Sequence, residues 1–121
     1  MPRFIKIQTK NLTSPILAES CKSFLCRLRG LTFRSHISPD EGMLLVQKRN
    51  SRIDAAIHML GVNMQLGIVW IDSDNVIVDT IVARPWRLAY IPCKPAKYVL
   101  EIHPDRMKEF IIGNEVQFIN G

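Results

Sequence analysis

The sequence contains no apolar run long enough to span a membrane, and its start, Met1-Pro2-Arg3-Phe4-Ile5-Lys6, lacks the apolar stretch of a secretory signal. The expectation is a soluble protein of the cytoplasm with no membrane partner. Cysteine is scarce, with Cys21, Cys26 and Cys93 the full set, and none of them forms the C-x-x-C pair that zinc ribbons and redox sites use. Reduced, packed thiols are therefore expected, with a reactive Cys93 beside Lys94 the weaker alternative. There is no G-x-S-x-G elbow, no phosphate-cradling glycine loop and no H-E-x-x-H pair, so no motif calls for a cofactor or metal, and none is expected.

What is present is enough for one domain. The chain has 121 residues, 47% hydrophobic and 22% charged, and is read as a single unit over residues 1–121. A core of this size needs no metal to hold it. The net charge is +5, and the excess sits in residues 1–60, which hold ten basic and four acidic side chains. The basic residues are scattered and no aromatic-interleaved stripe accompanies them, so weak nucleic-acid association is a minor reading. The oligomeric state is not legible.

Hydrophobic patterning predicts a mainly β protein. Phe4–Gln8 reads as a strand at or near an edge, and Met43–Val46 as a buried strand after the Ser38–Gly42 turn cluster. Leu66–Ile71 and Val76–Val82 flank Asp72-Ser73-Asp74-Asn75 as a β-hairpin. Lys97–Ile102 and Glu115–Ile119 are further strands. Apolar Cys21, Phe24, Leu25 and Leu28 suggest a short helix over Glu19–Leu28, and Pro104 opens another ending near Phe110. Ser51–Leu60 fits a short helix or a turn leading to a strand near Ile57. The expected architecture is a compact antiparallel sandwich or barrel-like domain of about seven or eight short strands with one to three short helices.

Glu41-Gly42-Met43-Leu44, Ile57-His58-Met59, the apolar strand from Leu66 to Asp72, Pro85-Trp86-Arg87, Tyr98-Val99-Leu100-Glu101 and Gly113-Asn114-Glu115-Val116 fall in a characteristic order. With Gly30-Leu31-Thr32-Phe33-Arg34, this series resembles the signatures of the domain-of-unknown-function 192 family, from about Gly30 to Phe118. The resemblance implies a compact mostly-β barrel or sandwich and brings no established reaction with it. The chain departs from the family pattern at Thr32, where Met is usual, at Gln65, where Pro is frequent, and at Gly67, where an Asp usually enters the strand.

Five residues are candidates for a ligand site: Glu41, His58, Trp86, Arg87 and Glu101. Two converging carboxyls can divide acid and base duties. The favoured structural alternative has Glu41 accepting from backbone N–H groups of its turn and Glu101 paired with Arg34 or Arg87. His58 is most simply a hydrogen-bonded core or groove histidine. Trp86 and Arg87, between prolines, can frame an anion or a planar ligand, or the indole can cover an open barrel end. The leading expectation is a binding or accessory domain with a shallow groove for a small molecule or peptide. The alternative is a small hydrolase-type enzyme with Glu41 and His58 as acid and base.

Overall fold

The computed structural model describes residues 3–22 and 36–120. Its strands are β1 (Phe4–Thr9), β2 (Ile16–Cys21), β3 (Glu41–Ser51), β4 (Leu66–Ile71), β5 (Ile77–Ala83), β6 (Ala96–Ile102) and β7 (Val116–Asn120). One 3₁₀ helix, Pro104–Glu109, follows β6. The strands form one seven-stranded sheet in the order β5-β4-β6-β3-β2-β1-β7.

The mainly β expectation holds, and the topology adds two corrections. The sheet is mixed, because β2 and β3 run parallel while the other neighbours run antiparallel. It is one curled sheet that does not close into a barrel. Among the described residues, the two ends of the sheet meet at the start of β5 and β7, where Val76 bridges Glu115, Ile77 exchanges backbone hydrogen bonds with Gly113 and Asn114, and Val116 N–H donates to Asn75 O. Strand β1 lies one place in from the edge strand β7, as a strand at or near an edge should.

The helix expected over Glu19–Leu28 begins instead as strand: Leu17 to Cys21 pairs with β3, and β1 pairs along the other side from Ile16 to Glu19. Two-sided backbone pairing outweighs the helical spacing of a few apolar residues. The rest of that expectation, with Gly30–Arg34, lies outside the described residues. Ser51–Leu60 resolves in favour of the turn. Ser51 Oγ accepts from Asp54 N–H, and Ile57 then bridges Tyr90.

Both faces of the sheet are covered. On one, Ile5, Ile7, Ile16, Leu44, Val69, Ile71, Leu100 and Ile102 pack with Phe110 and Met107 of the segment that carries the 3₁₀ helix. On the other, Met43, Leu45, Leu66, Ile68, Trp70 and Val99 pack under a layer of loops that contributes Ala55, Ile57, Met59, Val62 and Tyr90. Strand β4, buried at every position, faces both cores, which is why it reads Leu-Gly-Ile-Val-Trp-Ile without polar alternation. Trp70 ties the loop layer down, its buried indole N–H donating to Ala55 O at 2.7 Å.

Two glycines keep the layers close. A Cβ on Gly42 would press on the Glu101 carbonyl at 3.0 Å, where β3 lies between β2 and β6. A side chain on Gly67 would collide with Met107, so the glycine leaves the room in which the 3₁₀ helix packs against β4.

Candidate functional site

The structure distributes the five candidates over two places. Glu41 and Glu101 belong to the sheet. Met43 on β3 and Ile68 on β4 lie directly opposite Glu101 of β6. Side chains alternate along a strand, so Glu41, two residues before Met43, lies on the same face and one diagonal step from Glu101. The two carboxylates do share a face.

Their surroundings differ. Glu41 is half-buried at the end of its turn, and its Oε1 accepts from Ser38 N–H at 2.7 Å, as the structural alternative anticipates. Glu101 is 4% exposed, and its Oε1 is buried with no hydrogen-bond partner. Burial pushes its carboxyl up from the ordinary range to about 7. The expected ion pair with Arg87 is not among the salt bridges of the described residues, and Arg34 lies outside them.

His58, Trp86 and Arg87 sit together in the loop layer. Two short segments run side by side there: Ile57 and Tyr90 exchange both backbone hydrogen bonds, Met59 N–H donates to Arg87 O, and Trp86 N–H donates to Met59 O. Ile57 and Met59 are buried, which leaves His58 between them half-buried, its Nδ1 accepting from Leu60 N–H at 3.2 Å. Trp86 does not plug a barrel end. It is 58% exposed, and its indole N–H donates to Asn63 Oδ1 at 3.0 Å. Its φ is 65°, in the left-handed region where a side chain costs roughly 1–2 kcal/mol. No hydrogen bond of the described residues joins Glu41 to His58, the contact that an acid–base pair requires.

The cysteines depart from expectation. Cys21 is disulfide-bonded rather than a free thiol. Cys93 is free and exposed, but the hydrogen bond and charge of the Asp79 carboxylate, together with some desolvation, raise its thiol above the ordinary value. That opposes the reactive reading, which needs a thiolate.

Sequence reading missed the most heavily bonded polar group of the described chain. Arg106 is buried in the 3₁₀ helix, with Nε on Glu109 Oε2 at 2.7 Å. Its other nitrogens donate to Pro39 O, Asp40 Oδ1, Ser14 O and Glu109 Oε1. Glu109 Oε1 also accepts from Thr13 N–H and Thr13 Oγ–H. The three-residue spacing of Arg106 and Glu109 after a helix-opening proline was the available signal. Several basic side chains of the first half also have structural partners: Arg3 with Glu19, Arg49 with Asp54, and Arg52 with Pro92 O.

A groove of about 440 Å³ lies between the ends of β1 and β7, lined by Gln8, Thr9, Lys10, Asn114, Glu115 and Gln117. None of the five candidates borders it. Among the described residues no helix is long and apolar enough to cross a membrane, and no three His, Cys, Asp or Glu side chains cluster as a metal site.

Fold and site together describe a small mixed-sheet protein that carries a polar and aromatic loop surface on one face and buried carboxylates in and beside the sheet. The chain belongs to the domain-of-unknown-function 192 family, described as "Uncharacterized ACR", whose model matches residues 5–118 and so reaches further toward the N-terminus than the quoted motifs. It is 32% identical over 93 residues to a UPF0127 protein of Pyrococcus furiosus, covering 77% of each chain. A UPF0127 protein of Pyrococcus horikoshii is 31% identical over 104 residues, with 86% of each chain covered. Among solved structures, a protein of unknown function from Novosphingobium aromaticivorans superposes with a TM-score of 0.83 at 18% identity, covering 94% of this chain and 84% of that one. A Sinorhizobium meliloti protein, named for a proposed role in transcription regulation, gives 0.85 at 20% identity, covering 95% and 93%. At such identities these likenesses establish the fold alone.

Proposed function

We propose that this chain is a binding domain whose loop surface receives a peptide. The observation that carries the reading is the state of Trp86: a large aromatic held out to solvent, in an unfavourable backbone conformation, by hydrogen bonds from its own backbone and its indole. Strained, exposed and fixed residues are characteristic of surfaces prepared for a ligand. Exposed Leu60 and Leu88 lie next to the paired loop segments and extend the apolar surface. Arg84 and Arg87, both exposed, lie two residues before and one after Trp86 in the chain and supply positive charge to this segment. The chemistry that suits this surface is a short segment pairing an aromatic or aliphatic side chain with a carboxylate, the guanidinium taking the anion and the indole face the apolar group.

A peptide array with Phe, Leu or Tyr flanked by Asp or Glu, probed with the wild-type chain, tests it. Binding is expected to acidic–aromatic peptides, to vanish in Trp86→Ala, and to weaken about tenfold in Arg87→Ala, the loss of one charge-assisted hydrogen bond. Both side chains are exposed, so neither change should unfold the protein. Equal binding by wild type and Trp86→Ala, or no selective binding by the wild type, would overturn the reading.

A further inference from the structure

The curled sheet has two outer edges, and the chain treats them differently. Along β5, Asp79 Oδ1 accepts from Thr80 N–H and Asp79 Oδ2 from Cys93 N–H, while Tyr90 Oη accepts from Arg84 N–H just past the strand's end. Side chains and a loop of the same chain thus cover that edge, a usual defence against pairing with another molecule. Strand β7 has cover only at its first residue, where Val116 N–H donates to Asn75 O. From Gln117 to Asn120 no strand lies on its outer side among the described residues. The strand reads Val-Gln-Phe-Ile-Asn, without a charge or a proline to discourage a partner. Backbone groups of successive residues point to opposite edges of a strand. Val116 N–H points away from β1, so those of Phe118 and Asn120 do too, while Gln117 and Ile119 turn theirs toward Gln8 and Lys6, their register partners on β1. Phe118 and Asn120 therefore offer N–H and C=O outward, and Asn75 already fills the place beside Val116.

We infer that the outer edge of β7 is a dimer interface, on which a second copy of this chain lays its own β7 antiparallel, with Ile119 facing its copy at the two-fold axis. In that register Phe118 of each copy lies opposite Asn120 of the other, and each such pair exchanges both backbone hydrogen bonds, so every free donor and acceptor of the two residues is used. The alternative two-fold register, with Phe118 opposite itself, would set Asn120 against Val116, where Asn75 already lies. A second copy suits this edge better than an unrelated strand, because the free groups are complementary to themselves under a two-fold rotation. The inference does not rest on the Trp86 reading.

The side chains support the same register. Ile119 is 41% exposed in the single chain, and on the axis it would meet an identical apolar side chain at a Cβ separation of about 4.5–5.5 Å. The cation nearest to it along the ladder is Lys6, its register partner on β1. Three strand spacings separate Lys6 from its copy, roughly 14 Å. That exceeds the screening length of about 10 Å at 0.1 M salt, so their repulsion is weak. One short strand on each side buries little area, which makes this a reversible, concentration-dependent dimer.

Sedimentation velocity from micromolar to millimolar concentration tests it, with a dimer fraction that grows in the wild type. Asn120→Pro removes an outward N–H from each copy, spares the ladder to β1, and should weaken dimerisation at least about tenfold. Ile119→Glu sets two carboxylates face to face in the dimer but beside Lys6 within each monomer, so it should abolish the dimer without lowering thermal stability. In a Cys93→Ser background, Ile119→Cys should cross-link to a disulfide dimer on mild oxidation and Gln117→Cys should not, since only position 119 meets itself. A wild type that stays monomeric throughout, a dimer untouched by Ile119→Glu, or equal cross-linking at both positions overturns the interface. A further measurement needs no variant: the amide resonances of Phe118 and Asn120 should shift with protein concentration. Resonances that stay fixed while the protein dimerises place the contact elsewhere and overturn it. Resonances that ignore concentration but move with acetyl-Thr-Val-Thr-Val-Thr-amide assign the edge to a foreign strand, and that also overturns the dimer.

Discussion

Glu101 and Glu109 are both carboxylates in the interior, 4% and 7% exposed, yet they titrate in opposite directions. For Glu109, burial alone would raise the carboxyl; Arg106 and the two Thr13 donors more than offset it, and the group lies below its ordinary value. For Glu101, burial acts unopposed, and the carboxyl rises to about 7. The lesson is that depth alone does not decide what a buried acid does. What decides it is whether the surrounding backbone and side chains were arranged to donate. Around Glu109 they were: the 3₁₀ helix, the β1–β2 loop and the β2–β3 turn converge through Arg106. Around Glu101 the neighbouring strands present apolar side chains and a second acid.

Arg106→Met is expected to have the largest effect. It removes the guanidinium and leaves Glu109 buried with only the Thr13 donors, a change that costs about 3–5 kcal/mol when one member of a buried pair is lost. Chemical denaturation should show this as a large drop in midpoint. The double variant Arg106→Met with Glu109→Leu should recover much of the loss, since replacing both partners leaves no orphaned charge. If the single variant is as stable as wild type, the clasp is not holding the helix in place.

The pH dependence of Glu101 comes next. Its folded value of about 7 lies above the unfolded value near 4.5, so the folded state keeps a proton that the unfolded state gives up. Its contribution to stability is therefore full below about pH 4.5, falls as pH rises between these two values, and is flat above them. The difference of roughly 2.5 pH units corresponds to on the order of 3 kcal/mol. Glu109 works with the opposite sign: its contribution is present above the unfolded value and is lost as pH falls through its lowered folded value. Glu101→Gln should thus flatten the decline between about pH 5 and 7 in urea midpoints while leaving the acid limb intact. A decline that survives the substitution would assign it to another group.

Apart from β2, the strands and the hairpin were legible because short runs rich in apolar and β-branched residues and the Asp72–Asn75 turn are local signals. In that turn, Asp72 Oδ1 accepts from Asp74 and Val76 N–H while Asn75 takes φ 65°, chemistry that the residue types announce. The order of strands was not legible. The parallel pairing of β2 with β3 depends on long-range packing, and the helical spacing that begins at Cys21 pointed elsewhere. Likewise, Glu41 and Glu101 stood out as acids beside apolar strands, but their sharing of a face depends on the register of β3 against β6. Arg106 went unnoticed because its partners, Ser14, Pro39 and Asp40, are far away in the sequence and two of them offer only backbone carbonyls.

The smallest expected effect sharpens the same contrast by asking what else attaches the 3₁₀ helix. Gly67 lies opposite Ile102, on the face where Met107 packs, and any side chain there meets Met107 first. Gly67→Ala should cost about 1–3 kcal/mol if Met107 cannot move, the usual range for overpacking. Met107 is flexible, however, and its sulfur and Cγ are what the new methyl would strike. Adding Met107→Ala should therefore relieve the clash, at the expense of apolar area the thioether had covered. A Gly67→Ala protein already at wild-type stability would mean that Met107 yields freely, and that the Arg106 clasp alone sets the helix against the sheet. A loss that Met107→Ala repairs would mean that the helix is held at two points, by hydrogen bonds at one end and by close packing on Gly67 at the other.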